Sequence, residues 1–318
     1  MTKLKGREAL FSGFDLMRRE PRLLLSLAAV YLLSGVLPQL LAYWAVWPEV
    51  LTALDAASKA ALTGGKADQV PEMAQMQAHM LPYQLLAFPL SIAGAMAMYG
   101  AIYRAILRPD DRSFGYLRLG RREGAMFLTT LTAVFLLIVA MIAATLVIVI
   151  LVMGVRMVAG PDSSATGLVT FGLALVAVIL CGWCAIRLSL AYPMAFADGR
   201  FRLFESWALT RGHGWKIFGV QLAMIAIVIA VELAVALIMI LIAMAVGIGV
   251  SGHADAIAQA MTAKMAQGAE TWVPQFAGAY VGLMALASVI VAGFYIFAVA
   301  PSADIYRQLT AGTADPAA

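Results

Sequence analysis

The stretch from Ala125 to Val155, AMFLTTLTAVFLLIVAMIAATLVIVILVMGV, runs for 31 residues without a charged side chain. A helix crossing hydrocarbon needs about 20 mainly apolar residues, because backbone N–H and C=O groups find no partner there except within the helix itself. The stretch therefore reads as a transmembrane helix, and five more lie outward from it along the chain. They run Leu23 to Trp47, Pro82 to Tyr103, Gly167 to Ile186, Ile217 to Val250 and Phe276 to Val299. Of the six, only the fifth in chain order carries a charge, Glu232.

Composition agrees. Hydrophobic residues make up 63% of the 318 and charged residues 13%, about half the charge of a soluble domain. The longest polar interval, Pro48 to Leu81, is too short for an independent catalytic domain. The expected fold is an all-α integral membrane protein, one membrane domain over 1–318, with six transmembrane helices arranged as three hairpins. The first apolar run begins after 22 residues and extends for 25, longer than the core of a signal peptide, so it is expected to remain in the protein.

The charges between the spans sort by side. Segments 1–22, 104–124, 197–216 and 301–318 hold 17 Lys and Arg, whereas the alternate loops hold only Lys59, Lys66, Arg156 and Lys264. Basic residues in short loops stay on the cytoplasmic side, so both termini are expected inside and three loops outside. The same bias explains a sequence pI of about 9.1 without nucleic acid. The expected partners are membrane lipids, whose anionic head groups attract basic residues at the cytoplasmic face.

A pattern Phe-x4-Leu-x-Arg precedes the first, third and fifth spans. It is carried by Phe11, Leu16 and Arg18, then Phe114, Leu119 and Arg121, then Phe204, Leu209 and Arg211. The first two copies close on the same Arg-Arg-Glu, Arg18 to Glu20 and Arg121 to Glu123. The pattern suggests three repeat units, 1–108, 109–198 and 199–318. As helices, these segments would separate a greasy face (Phe11, Phe14 and Leu10, or Phe204, Trp207 and Leu203) from a basic one. Such helices lie in the membrane interface, apolar face toward the acyl chains. On the opposite side, Met73, Met76 and Met80, and again Ile257, Met261 and Met265, recur at helical spacing beside polar residues. They predict amphipathic helices at the outer face.

Candidate chemistry is sparse. Glu232 lies near the middle of the fifth span, where a charge costs about 2.5 to 3.5 kcal/mol and usually faces the bundle interior or a cavity. Arg187, at the cytoplasmic end of the preceding span, is its obvious partner. The pair is compatible with helix packing or with a transport pathway. Cys181 and Cys184 form C-x-x-C within an apolar helix, but no further cysteine is available for exchange, so both read as small hydrophobes. Met73, Met76, His79 and Met80 have a spacing that suits Cu(I), yet the chain carries 18 Met, and an apolar stripe is the better reading. The G-x-G-x-x-G from Gly247 to Gly252 follows a membrane helix rather than a strand and is not a dinucleotide fingerprint. Gly278 and Gly282 read as a close helix contact. No H-E-x-x-H, G-x-S-x-G or P-loop occurs, so no cofactor, metal site or enzymatic centre is expected.

The segment Arg187-Leu-Ser-Leu-Ala-Tyr-Pro193, followed by Phe204-Glu-Ser-Trp-Ala-Leu-Thr-Arg-Gly-His-Gly-Trp215, resembles an element of bacterial integral membrane proteins. Similar elements occur in the membrane domain attached to some glycerophosphoryl diester phosphodiesterases and in the YciC-like inner-membrane proteins. Tyr103-Arg-Ala-Ile-Leu-Arg-Pro109 through Phe114-Gly-Tyr-Leu-Arg-Leu-Gly120 is similar to such proteins as well. The recognisable motif covers about 50 residues. The resemblance implies a bacterial inner-membrane location and a helical bundle. It does not carry the phosphodiesterase reaction, which belongs to a separate barrel domain.

Two readings of function follow. One is a non-enzymatic membrane protein acting on lipid organisation or as a membrane partner for other proteins. The other is a transporter or permease for an amphiphilic solute, with Glu232 and Arg187 in its pathway.

Overall fold

In the computed structural model, residues 4–62, 70–160, 164–249 and 269–311 are described, and every regular element among them is helical. A short helix α1, Gly6–Arg19, leads into α2, Pro21–Tyr31, which continues through a π turn at Leu32–Val36 into α3, Leu37–Ala45. Then come α4, Trp47–Leu62, and α5, Pro71–Leu107, followed by a 3-10 turn at Ser113–Tyr116 and the long α6, Arg121–Ala159. The remaining helices are α7, Ser164–Leu188; α8, Ala191–Asp198; α9, Glu205–Leu209; α10, Gly214–Gly249; and α11, Ala269–Ala311. Six stretches are long and apolar enough to cross a membrane: Pro21–Ala45, Pro71–Leu107, Arg121–Val158, Thr166–Asp198, Gly214–Ala234 and Tyr280–Ala311. These correspond to the six apolar runs of the sequence. The stripe of Ile257, Met261 and Met265 lies outside the described residues.

Large apolar side chains along α6 and α7 stand uncovered, among them Phe135, Ile150, Phe171 and Val178. In water such continuous apolar surface would drive aggregation, whereas hydrocarbon solvates it at no cost.

The chain divides into two compact units. The first comprises Met1–Arg18, Tyr99–Ala223 and Phe297–Ala318. Here α6 packs along both α7 and α8. Leu4 and Ala9 of the N-terminal segment meet Ile186 and Leu190, Ile217 and Val220, and Ile305 and Leu309 in one buried cluster. The Lys5 N–H also donates to Gln308 Oε1 at 2.9 Å, so the N-terminal helix is fastened to the end of α11. Gly199 ends α8 at φ +64°, a left-handed position that favours glycine, and its N–H closes onto the Ala195 carbonyl at 2.9 Å.

The second unit comprises Arg19–Met98 and Met224–Ile296. Among its described residues, the π turn lies close against α5. A π turn leaves carbonyls without their usual i+4 donors, and the Ser91 hydroxyl donates to the Ser34 carbonyl at 3.1 Å. Gly94 lies against Ser34 so closely that a Cβ there would overlap the serine side chain. Small residues at a membrane crossing let backbones approach and exchange hydrogen bonds of this kind.

Candidate functional site: an arginine-lined pocket

The pocket begins where the second span ends. Arg104 sits in the last turn of α5 and is only 4% exposed. A buried guanidinium must be paired and hydrogen-bonded. One Nη of Arg104 donates to a carboxylate oxygen of Glu123, which is itself 3% exposed, and the other donates to the backbone carbonyl of Tyr116. Its Nε lies 3.5 Å from Asp111 Oδ2, and its Cζ lies 5.6 Å from the centre of the Phe196 ring.

Glu123 serves a second role at the start of α6. Its Oε2 accepts the Gly120 N–H at 3.0 Å, the side-chain half of a capping box. The carboxylate fits against α5 only because residue 100 is glycine: a Cβ there would stand 2.8 Å from Glu123 Cγ. Gly115 and Tyr116 turn the intervening loop with φ of +63° and +69°. This brings the Tyr116 carbonyl onto Arg104.

Above the buried pair opens a cavity of about 450 Å³, lined by Arg104, Arg108, Arg118, Arg121 and Arg122 with Asp111 and Glu123. Arg118 reaches Asp111 at 3.4 Å, and Arg122 is repelled by Arg108 and Arg104 and attracted by Glu123 and Asp111. Among the described residues, no ion pair engages Arg108, Arg121 or Arg122. Guanidinium forks of this density suit the oxygens of carboxylate or phosphate, which they hold in bidentate fashion.

Sequence reasoning counted Arg104 as a basic loop residue and as part of the Tyr103 to Pro109 resemblance, and Glu123 as the end of a repeat, without pairing them. Their pairing left one signal, Gly120 three residues before Glu123 at the foot of an apolar run.

The three repeat copies occupy three local structures. Phe11, Leu16 and Arg18 lie on α1, where Leu16 is buried and Phe11 exposed. Phe14, on the same helix, meets the ring of Phe297 edge-on at 5.2 Å. Phe114 falls in the 3-10 turn, Leu119 is exposed in a stretch without regular structure, and Arg121 is at the first position of α6. The left-handed residues at 115 and 116 prevent this copy from forming the helix its pattern suggests. Phe204 precedes the five-residue α9, Leu209 ends it and packs on the buried cluster, and Arg211 is exposed. In the third copy His213 takes the register position of Glu123.

Arg187 ends α7 much as Arg104 ends α5, but its neighbours are aromatic. The guanidinium lies 4.8 Å from the Trp183 ring centre and 5.5 Å from that of Trp207, and Nη1 donates to Thr210 Oγ1 at 3.4 Å. The Ser206 hydroxyl donates to the Arg187 carbonyl at 2.7 Å, satisfying one of the open acceptors at the end of α7. Glu232 is exposed on α10, in the second unit.

Met73, Met76 and Met80 belong to the first turns of α5, which runs unbroken through Pro82 and Pro89. They pack against Val46, Val50 and Ala53, so their thioethers fill an apolar core, and His79 Nδ1 lies 3.4 Å from Glu49. Cys181 is half-buried and Cys184 exposed on α7, both as free thiols. Comparison of the chain with protein-family models, characterised proteins and solved structures finds no match.

Proposed function

We propose that the chain is a non-enzymatic, multi-pass protein of a bacterial inner membrane, with both termini cytoplasmic, that gathers anionic lipid at its basic face. The observation that supports this most is the first compact unit. It unites the N-terminal helix, the loop after α5, the loop after α8 and the end of α11, the four segments in which the chain concentrates its Lys and Arg. Around those charges stand exposed aromatics suited to the head-group region: Phe11, Phe204, Trp207 and Trp215. Each Lys or Arg near an anionic leaflet contributes about 1 kcal/mol of attraction. The resemblance to YciC-like inner-membrane proteins agrees with this reading.

The test uses the protein's own tryptophans. In vesicles of otherwise equal composition, bromine-labelled phosphatidylglycerol should quench Trp fluorescence more strongly than bromine-labelled phosphatidylcholine. Equal quenching at low and high salt would remove the proposal.

A further inference from the structure

Deepening that reading, and resting on it, we infer that the arginine-lined pocket selects a doubly charged phosphate, a phosphomonoester or pyrophosphate group, over a singly charged phosphodiester. Five arginines and two acidic residues line the cavity. The carboxylates are already committed. Glu123 neutralises the buried Arg104, while Asp111 lies between Arg104 and Arg118. That leaves Arg108, Arg121 and Arg122 with no close ion pair among the described residues; Glu123 and Asp111 attract Arg122 from a distance, against the repulsion of Arg108 and Arg104. A phosphomonoester carries about −1.5 to −2 charge at neutral pH and three strong acceptor oxygens, so it satisfies several guanidinium forks at once. A diester offers one charge and two such oxygens.

The rest of the pocket suits the same group. The first residues of α6, a 39-residue helix whose N-terminal dipole favours an anion, are among its lining. The cavity volume of about 450 Å³ lies in the range of small-ligand sites and exceeds what one phosphate fills. Room remains for a glycerol or sugar. The pocket opens at the end of a transmembrane helix, so the phosphate can arrive on a lipid or on a phosphorylated solute.

Native mass spectrometry of the full-length protein in mild detergent tests this. Phosphatidic acid, phosphatidylglycerol and phosphatidylcholine of matched acyl chains are titrated separately. Phosphatidic acid should bind about tenfold more tightly than phosphatidylglycerol, as expected for one additional charge-assisted contact. The double variant Arg121→Lys, Arg122→Lys keeps the charges that orient the helices but loses the bidentate forks, and should abolish that preference. Arg108→Gln should weaken it several-fold.

Equal affinity for the two anionic lipids, or a preference that survives the lysine pair, overturns the inference. A remaining advantage of phosphatidylglycerol over phosphatidylcholine would then leave the broader lipid reading standing. No discrimination among the three lipids overturns both. Inorganic pyrophosphate identifies the source. Displacement of phosphatidic acid at millimolar pyrophosphate places recognition in the phosphate alone, as a soluble solute requires. Failure to displace it assigns the ligand to the lipid.

Discussion

Glu123→Ala would leave the Arg104 guanidinium almost wholly buried with no carboxylate inside its cage. Asp111 would remain 3.5 Å from Nε, but its side chain is 37% exposed and its attraction is partly screened. Removing one partner of a buried pair costs about 3 to 5 kcal/mol. Losing the cap on the Gly120 N–H adds roughly 0.5 to 1 kcal/mol, and the residual pull of Asp111 offsets part of the total. A net destabilisation of about 3 kcal/mol is expected, corresponding to a fall in Tm of roughly 6 °C or more. Glu123→Gln keeps an acceptor and the side-chain volume, and should cost about half as much. The measurement is thermal unfolding in mild detergent followed by tryptophan fluorescence, with helix content checked by circular dichroism. A double variant, Arg104→Met with Glu123→Leu, removes both charges and should recover at least about 1.5 kcal/mol relative to the sum of the single changes. Additivity within about 0.5 kcal/mol would refute the claim that the pair acts as a unit.

Three other outcomes follow from the packing. Gly94→Val should lower thermal stability by about 1 to 3 kcal/mol through overpacking against Ser34, and adding Ser34→Gly should restore part of it, read by the same melting curves. Ser206→Ala leaves the half-buried Arg187 carbonyl without this donor and should cost about 1 kcal/mol, whereas Ser206→Thr, which keeps the hydroxyl, should cost less. In a background with Cys181 and Cys184 replaced by serine, a cysteine at position 232 should resist membrane-impermeant maleimide if the exposed Glu232 position faces lipid. Rapid labelling there would instead favour a water-filled pathway and the transporter reading.

The spans were readable because hydrocarbon imposes a one-dimensional rule: a long uncharged run must be a helix, whatever it packs against. The stripe of Met73, Met76 and Met80 was readable as apolar for the same reason. Its direct continuation into the second span was not, because Pro82 and Pro89 normally interrupt a helix. The π turn at Leu32–Val36 has one sequence mark, Pro38, which has no N–H to give the Ser34 carbonyl four residues before it; the Ser91 hydroxyl that donates there instead is 57 residues away and left none. The repeat shows the limit of local pattern. Its first copy is helical, but in the second the left-handed backbone at Gly115 and Tyr116 delivers a carbonyl to Arg104. A tertiary demand there overrides the pattern shared with Phe11, Leu16 and Arg18. The arginine pocket was hidden because it needs two helix ends and a loop to converge, and a count of basic residues is blind to convergence.

The placement of charge at the foot of α6 separates two roles that a basic count merges. Arg104 in the last turn of α5 and Glu123 in the first turn of α6 each complement the dipole of the helix that carries them, and they neutralise each other. That pair is sufficient to fasten the loop, with Gly100 clearing its space. Arg121 and Arg122 do the reverse: they put two cations at a helix N-terminus, where the dipole is positive, beside Arg108. Orienting the spans requires only that basic residues lie on this side of the membrane, which any position along the loop would satisfy. Crowding them against both a helix dipole and one another costs stability that Glu123 and Asp111 offset only in part, and a further anion would offset more. The local arrangement is therefore better explained by a bound oxyanion than by topology alone.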